Sequence, residues 1–180
     1  MKKKIHLTKL TNDTPFKCQN PVFSGIWCLT NDELLNINEH NILQHHWSNN
    51  LKFIDDFNYI NKIFPQILDD LASCLVNNIQ TNYKSSQLKI LLSHWLTIYL
   101  SVVYDRWLLI ENIIGSNYSI FKLSKSIKHH RPIAYIDCVN LYQDDQWNEL
   151  ILREIFAFLS DKGSFQQNTE KIEKNKIYLN

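Results

Sequence analysis

Glycine is the residue this sequence most lacks: 180 residues hold only three, Gly25, Gly115 and Gly163, each isolated. A dinucleotide-binding G-x-G-x-x-G turn and a phosphate-wrapping P-loop both need clustered glycines, so neither can be built here. Excess charge of one sign is also missing. The 19 Lys and Arg balance 18 Asp and Glu to leave a net charge of +1, and no global field draws the chain to nucleic acid or acidic lipid. Long apolar runs are absent too. The longest candidate, 90–104, is interrupted by Ser93, His94, Thr97 and Ser101 and closes on Asp105-Arg106, short of the roughly 20 apolar residues that span a bilayer. The four cysteines, Cys18, Cys28, Cys74 and Cys138, form no C-x-x-C pair. Lys2 to Lys4 resemble the start of an export signal, but Ile5-His6-Leu7-Thr8-Lys9 supplies no apolar stretch after them. These features point to a cytoplasmic chain with free thiols, without a transmembrane segment.

What is present is the composition of a folded chain: 44% apolar, 12% aromatic and 21% charged. Its length suits one domain, able to hide roughly 70% of its unfolded surface. The first fifty residues read as short strands between polar loops: Lys4 to Leu10, with Ile5 and Leu7 on one face, then Pro21 to Ser24, then Asn41 to Trp47. After Asn50 the period becomes helical. Leu51, Ile54, Phe57, Ile60, Phe64, Ile67, Leu71, Leu75 and Ile79 recur at three- and four-residue steps, with Pro65 predicting a kink or a break. A second long helix is expected from Ser86 to Ile114, stopped by Gly115. Tyr118 to Leu123 reads as a strand and Lys125 to Arg131 as a basic loop. A third helix then places Trp147, Ile151, Ile155 and Phe158 on one face. The expected fold is therefore α/β and helix-dominated, a small sheet of short strands packed on long helices. The domain spans 1–159, and a polar tail of loose order follows over 160–180.

Tyr104-Asp105-Arg106-Trp107 is the densest chemical constellation, set inside an apolar helix. Neighbouring helical residues point about 100° apart, so Asp105 and Arg106 are expected to seek partners elsewhere. Asp105, Ser101 and His94 form a polar seam on one side, too long to be a catalytic triad at about 16 Å. The seam reads either as a cleft wall, with Arg106 holding an anion and Asp105 orienting a hydroxyl, or as a structural ion-pair network. His45-His46-Trp47 offers a strand-end histidine, and a strand would turn the two imidazoles to opposite faces. No metal site is expected, because H-x-x-x-H, H-x-H and cysteine-pair spacings are all missing. His129-His130 reads as a solvated loop, and Asp144-Asp145 as a helix N-terminal cap. The tryptophans are core residues or cleft lining.

Four ordered blocks carry a family likeness: Phe23-Ser24-Gly25-Ile26-Trp27-Cys28; His46-Trp47; Trp95-Leu96 with Tyr104-Asp105-Arg106-Trp107; and Asn140-Leu141-Tyr142-Gln143-Asp144-Asp145-Gln146-Trp147-Asn148. Together, over roughly 22–159, they resemble a family of bacterial transferases found among surface-carbohydrate and O-antigen biosynthesis genes. The resemblance implies transfer of a sugar or related group to a carbohydrate acceptor. It also implies the N-terminal half of a two-Rossmann-domain (GT-B-like) scaffold, in which a C-terminal domain or partner chain holds the nucleotide-sugar donor. Carried onto the matching positions, it marks Asp105, Arg106 and His46 as candidate catalytic residues and Trp27 and Trp107 as candidate substrate-binding residues. It adds no metal and no cofactor. Members are several-fold longer, so a truncated or split chain, inactive alone, is part of the expectation. His94 stands where a small residue or proline is expected. The competing reading is a non-catalytic α/β module that binds another protein.

Overall fold

The structure, a computed structural model, describes residues 3–10, 21–29, 41–78, 82–120 and 135–161. Three short parallel strands form its sheet: β1 (Lys4–His6), β2 (Val22–Phe23) and β3 (Ser119–Ile120), in the order β2-β1-β3. Ile5 pairs with Val22 on one side and with Ile120 on the other. Because β1 is central and parallel, it is covered on both faces. Ile5 and Leu7 are buried as their alternation predicts, but His6 and Thr8 are buried as well. His6 stacks on Phe23, with ring centroids 5.2 Å apart.

The described residues hold four α-helices. α1 (Asn50–Asn78) carries Pro65 within one continuous element, α2 is Ser85–Gly115, α3 is Tyr135–Leu141 and α4 is Asp145–Asp161. The first two run antiparallel, with Asp69 paired to Lys89 near their connection and the Tyr59 ring tilted against Tyr104 further along. No helix among the described residues is long and apolar enough to cross a membrane. The core gathers Ile5, Leu7 and Val22 from the sheet, Leu109, Ile110 and Ile113 from α2, and Leu152, Ile155 and Phe156 from α4. Each such burial contributes roughly 1.5–3 kcal/mol. The helix-rich α/β fold with a small sheet agrees with the sequence reading.

Several local expectations are corrected. Asn41 to Trp47 is not a strand: Ile42 makes one parallel bridge to Phe23, and the chain then turns into a 3-10 helix at His46–Ser48. The expected third helix does start at its Asp144-Asp145 cap, where Asp144 accepts from the Trp147 amide at 2.8 Å, but a separate short helix, α3, precedes it. The buried stripe of α4 is Glu149, Leu152, Ile155 and Phe156, while Phe158 stays exposed. Gly115 closes α2 as its last residue, but the left-handed turn belongs to Asn117, at φ 59°. The α1 stripe is only partly covered: Ile60 is buried, whereas Leu51, Ile54 and Phe57 are exposed, since α1 packs mainly on α2. The basic loop with His129-His130, residue Cys18, the end of the Tyr118 to Leu123 segment and all but the first residues of the polar tail lie outside the described residues.

Candidate functional site

The site forms where the parallel strands end. In open parallel sheets, ligand crevices lie beyond the carboxyl ends of the strands, and here the segments after β1, β2 and the Ile42 bridge converge there. Gly25, next after Ser24, is a close approach: a β-carbon on it would fall inside the Trp27 ring. That vacancy lets the indole fold back, donate from Nε1 to the Leu7 carbonyl at 3.2 Å and stand edge-on to His45 at 6.3 Å. Leu43 donates its amide to the Phe23 carbonyl at 2.8 Å, fixing the segment that carries the two histidines beside β2.

His45 sits just before the 3-10 turn and caps it, its Nδ1 accepting from the Trp47 amide at 3.2 Å. An accepting Nδ1 places the ring proton of neutral His45 on Nε2. That nitrogen lies 3.1 Å from Asp105 Oδ1 and donates to it. His46 stacks on His45, with centroids 4.2 Å apart, and brings its own Nε2 to 3.1 Å from the same oxygen. His46 approaches off the hydrogen-bond line, so among the described residues both its nitrogens remain without a hydrogen-bond partner although the side chain is only 5% exposed. Leaving such a group unsatisfied costs about 1–3 kcal/mol.

Asp105, on α2, is the hub. Its Oδ2 accepts from Arg106 Nη1, so the expectation that these two neighbours would not pair is overturned; long, flexible Arg106 curls back along the helix surface. Arg106 Nε also donates to Asn148 Oδ1 at 3.0 Å, and Asn148 Nδ2 donates to the Tyr142 carbonyl at 3.0 Å. Burial alone would raise the Asp105 carboxyl, but the nearby His46 imidazole and the Arg106 guanidinium reverse that and hold it below the usual carboxylate value. Burial, reinforced by the neighbouring His46, lowers His45 despite the attraction of Asp105. A second network lies alongside: buried Asp56 accepts from Trp47 Nε1 at 3.0 Å and from the Tyr104 hydroxyl at 3.2 Å, and pairs with Lys52. An open depression of ≈ 440 Å³ borders the cluster, lined by His45, His46, Ser48, Asn49 and Asn112 among others.

Of the residues singled out from sequence, Trp27, His46, Asp105 and Arg106 come together. Trp107 does not. Its Nε1 donates to Glu111 at 2.8 Å and its ring packs against Phe158, on the core side of α2. The seam through Ser101 is also undone, because the Ser101 hydroxyl donates to the Thr97 carbonyl at 2.9 Å. Two members were missed, Asn148 and Asp56, and the expectation that His45 and His46 face opposite ways is corrected, since both reach Asp105. The signal for His45 was its place before a turn, where a capping side chain lets both imidazoles face one carboxylate.

This chain thus carries a buried carboxylate ringed by two imidazoles and a guanidinium, on an α/β scaffold. It belongs to the LIC12162 family: the model of the LIC12162 family transferase matches residues 3–180. No curated protein and no solved structure matches the chain.

Proposed function

We propose that this chain supplies the acceptor side of a glycosyltransferase-like reaction in bacterial surface-carbohydrate synthesis, O-antigen included, carried out in the cytoplasm. The observation that supports it is the Asp105 cluster, seated beyond the carboxyl ends of parallel strands in a chain of a transferase family. A carbohydrate hydroxyl would enter from the depression beside His45 and His46, with the exposed face of Trp27 stacking on the sugar. His46 takes the hydroxyl proton as the new C–O bond forms and the bond from the sugar to its diphosphate breaks; Asp105, ionised, stabilises the resulting imidazolium. Arg106 holds Asp105 in place. With no glycine-rich phosphate loop in the sequence, the nucleotide-sugar donor falls to a GT-B-like second domain or a partner chain.

The test is saturation-transfer NMR with oligosaccharides cut from bacterial surface glycans. Saturable contact that Trp27→Ala weakens is expected; no contact with any such glycan would sink the reading. One observation favours a second reading, a protein-binding module. Leu51, Ile54 and Phe57 form an exposed apolar face on α1, at 73%, 51% and 54% exposure. Concentration-independent monomers together with saturable glycan binding would remove it.

A further inference from the structure

His46 is the anomaly of the cluster: 5% exposed, aimed at Asp105, and without a hydrogen bond at either ring nitrogen among the described residues. We propose that His45, His46 and Asp105 bind a divalent transition cation of the zinc type. The three ligating atoms all lie within 4.8 Å of one another. A tetrahedral cation with bonds of about 2.0–2.1 Å sets its ligands about 3.3 Å apart. Two of the three separations, from each Nε2 to Asp105 Oδ1, already stand at 3.1 Å.

The donor set decides which cation. Two imidazoles and one carboxylate suit zinc, cobalt or iron, whereas magnesium and calcium want oxygen alone. Three protein ligands leave a fourth position open, facing the depression that His45 and His46 line. Arg106 occupies Oδ2 and is itself tied to Asn148, so it orients the carboxylate and leaves Oδ1 for the cation. Because Arg106 already offsets the carboxylate, the loaded site keeps positive charge, and an anionic fourth ligand such as hydroxide or phosphate fits it. A hydroxyl bound there is acidified by coordination instead of by transfer to His46.

Loading has a structural consequence at Trp47. A cation on His45 Nε2 moves the ring proton to Nδ1, which can then no longer accept from the Trp47 amide. The 3-10 turn loses its side-chain cap but keeps its backbone bond from Ser48 to the His45 carbonyl at 3.0 Å, and the Trp47 indole, 5.0 Å from the His46 ring, changes surroundings. The inference shares residues with the transferase reading but does not depend on which group is transferred.

The experiment is titration of Co²⁺ into the chelator-stripped full chain, followed by the visible cobalt spectrum and tryptophan fluorescence. Saturation at one Co²⁺ per chain is expected, with a visible band of four-coordinate cobalt, a fluorescence change in step and displacement by Zn²⁺. His46→Ala should weaken binding by more than about 10-fold, while His94→Ala, on an exposed position of α2, should bind as wild type. Should His46→Ala fail to fold by circular dichroism, Asp105→Asn carries the same expectation. Wild-type protein without a saturable cobalt band overturns the inference, as does undiminished binding by a folded His46→Ala or Asp105→Asn. Because no sugar is present, either result leaves glycan binding to its own test, while saturable Co²⁺ binding lost in His46→Ala replaces the proton-acceptor role given to His46 above.

Discussion

His45 Nε2 donates to Asp105 Oδ1 at 3.1 Å, joining positions 60 residues apart in the chain. Through that bond the turn before α1 is fastened to the middle of α2, and through Arg106 and Asn148 the same carboxylate reaches the start of α4. Asp105 is therefore a junction of three segments as well as the candidate centre of chemistry. Replacing it by Ala leaves Arg106 Nη1 and His45 Nε2 without that acceptor, though Arg106 Nε keeps Asn148. The expected loss is about 1.5–3 kcal/mol, the range for hydrogen bonds to charged groups. Urea unfolding of Asp105→Ala against wild type measures it, and a midpoint equal to wild type would remove the junction role.

Gly25→Ala should move the Trp27 indole off its seat, since the added methyl occupies the ring's position. The bond from Trp27 Nε1 to the Leu7 carbonyl would be lost. A tryptophan emission change in Gly25→Ala that is absent when Trp27 is already Phe is the expected pattern. Gly115→Ala is the contrasting case. A β-carbon there meets nothing within 4 Å, and Ala is favoured in a helix by about 1 kcal/mol, so thermal unfolding should show stability held or raised.

Cys28 is held as a thiol. Burial pushes it up to about 11, with the Ser24 contact opposing only in part. At pH 8 the native protein should therefore leave Cys28 unalkylated while exposed Cys74 is labelled. Peptide mass spectrometry after brief iodoacetamide treatment distinguishes them. Equal labelling of both would contradict the buried placement.

Tyr104 gives an alkaline signature. Burial, then the charge of Asp56 that its hydroxyl bonds, push it up to about 12 from an ordinary value of 10.0. Because the folded state favours the protonated phenol, this contribution to stability is complete below about pH 10. It is lost as the pH rises towards 12. Tyr104→Phe should flatten that part of the stability profile, and a tyrosinate absorbance difference between the two proteins should titrate near pH 12. A difference centred at pH 10 would show an unperturbed phenol.

The long helices were legible because α2 repeats apolar residues over eight turns and Gly115 stands at its last position. Val22-Phe23 was legible as a strand from its apolar pair beside Pro21 and Gly25. Residues 41–47 misled for a tertiary reason: one bridge to Phe23 satisfies Ile42, and the His45 cap then diverts the chain into a 3-10 turn. Asp105 and Arg106 stood out as charges in an apolar helix. Their partners did not, since His45 and Asn148 are brought to them by folding across long separations. Trp107 shared the same block but faces the core, as adjacent helical positions diverge by about 100°. Spacing along the chain offers the histidine pair no further metal ligand, and the carboxylate proposed above as the third one is brought from α2 by folding.

The most direct test of the account replaces Asp105 by Asn in the gene of the organism that makes the protein. Surface glycan is then compared on gels, alongside the amount and melting temperature of the purified variant. Asn keeps the shape and one acceptor oxygen but removes the charge that binds Arg106 and stabilises an imidazolium. The account predicts loss of the glycan, or its shortening, with the protein still folded and present. Unchanged surface glycan in cells that carry only Asp105→Asn would contradict it.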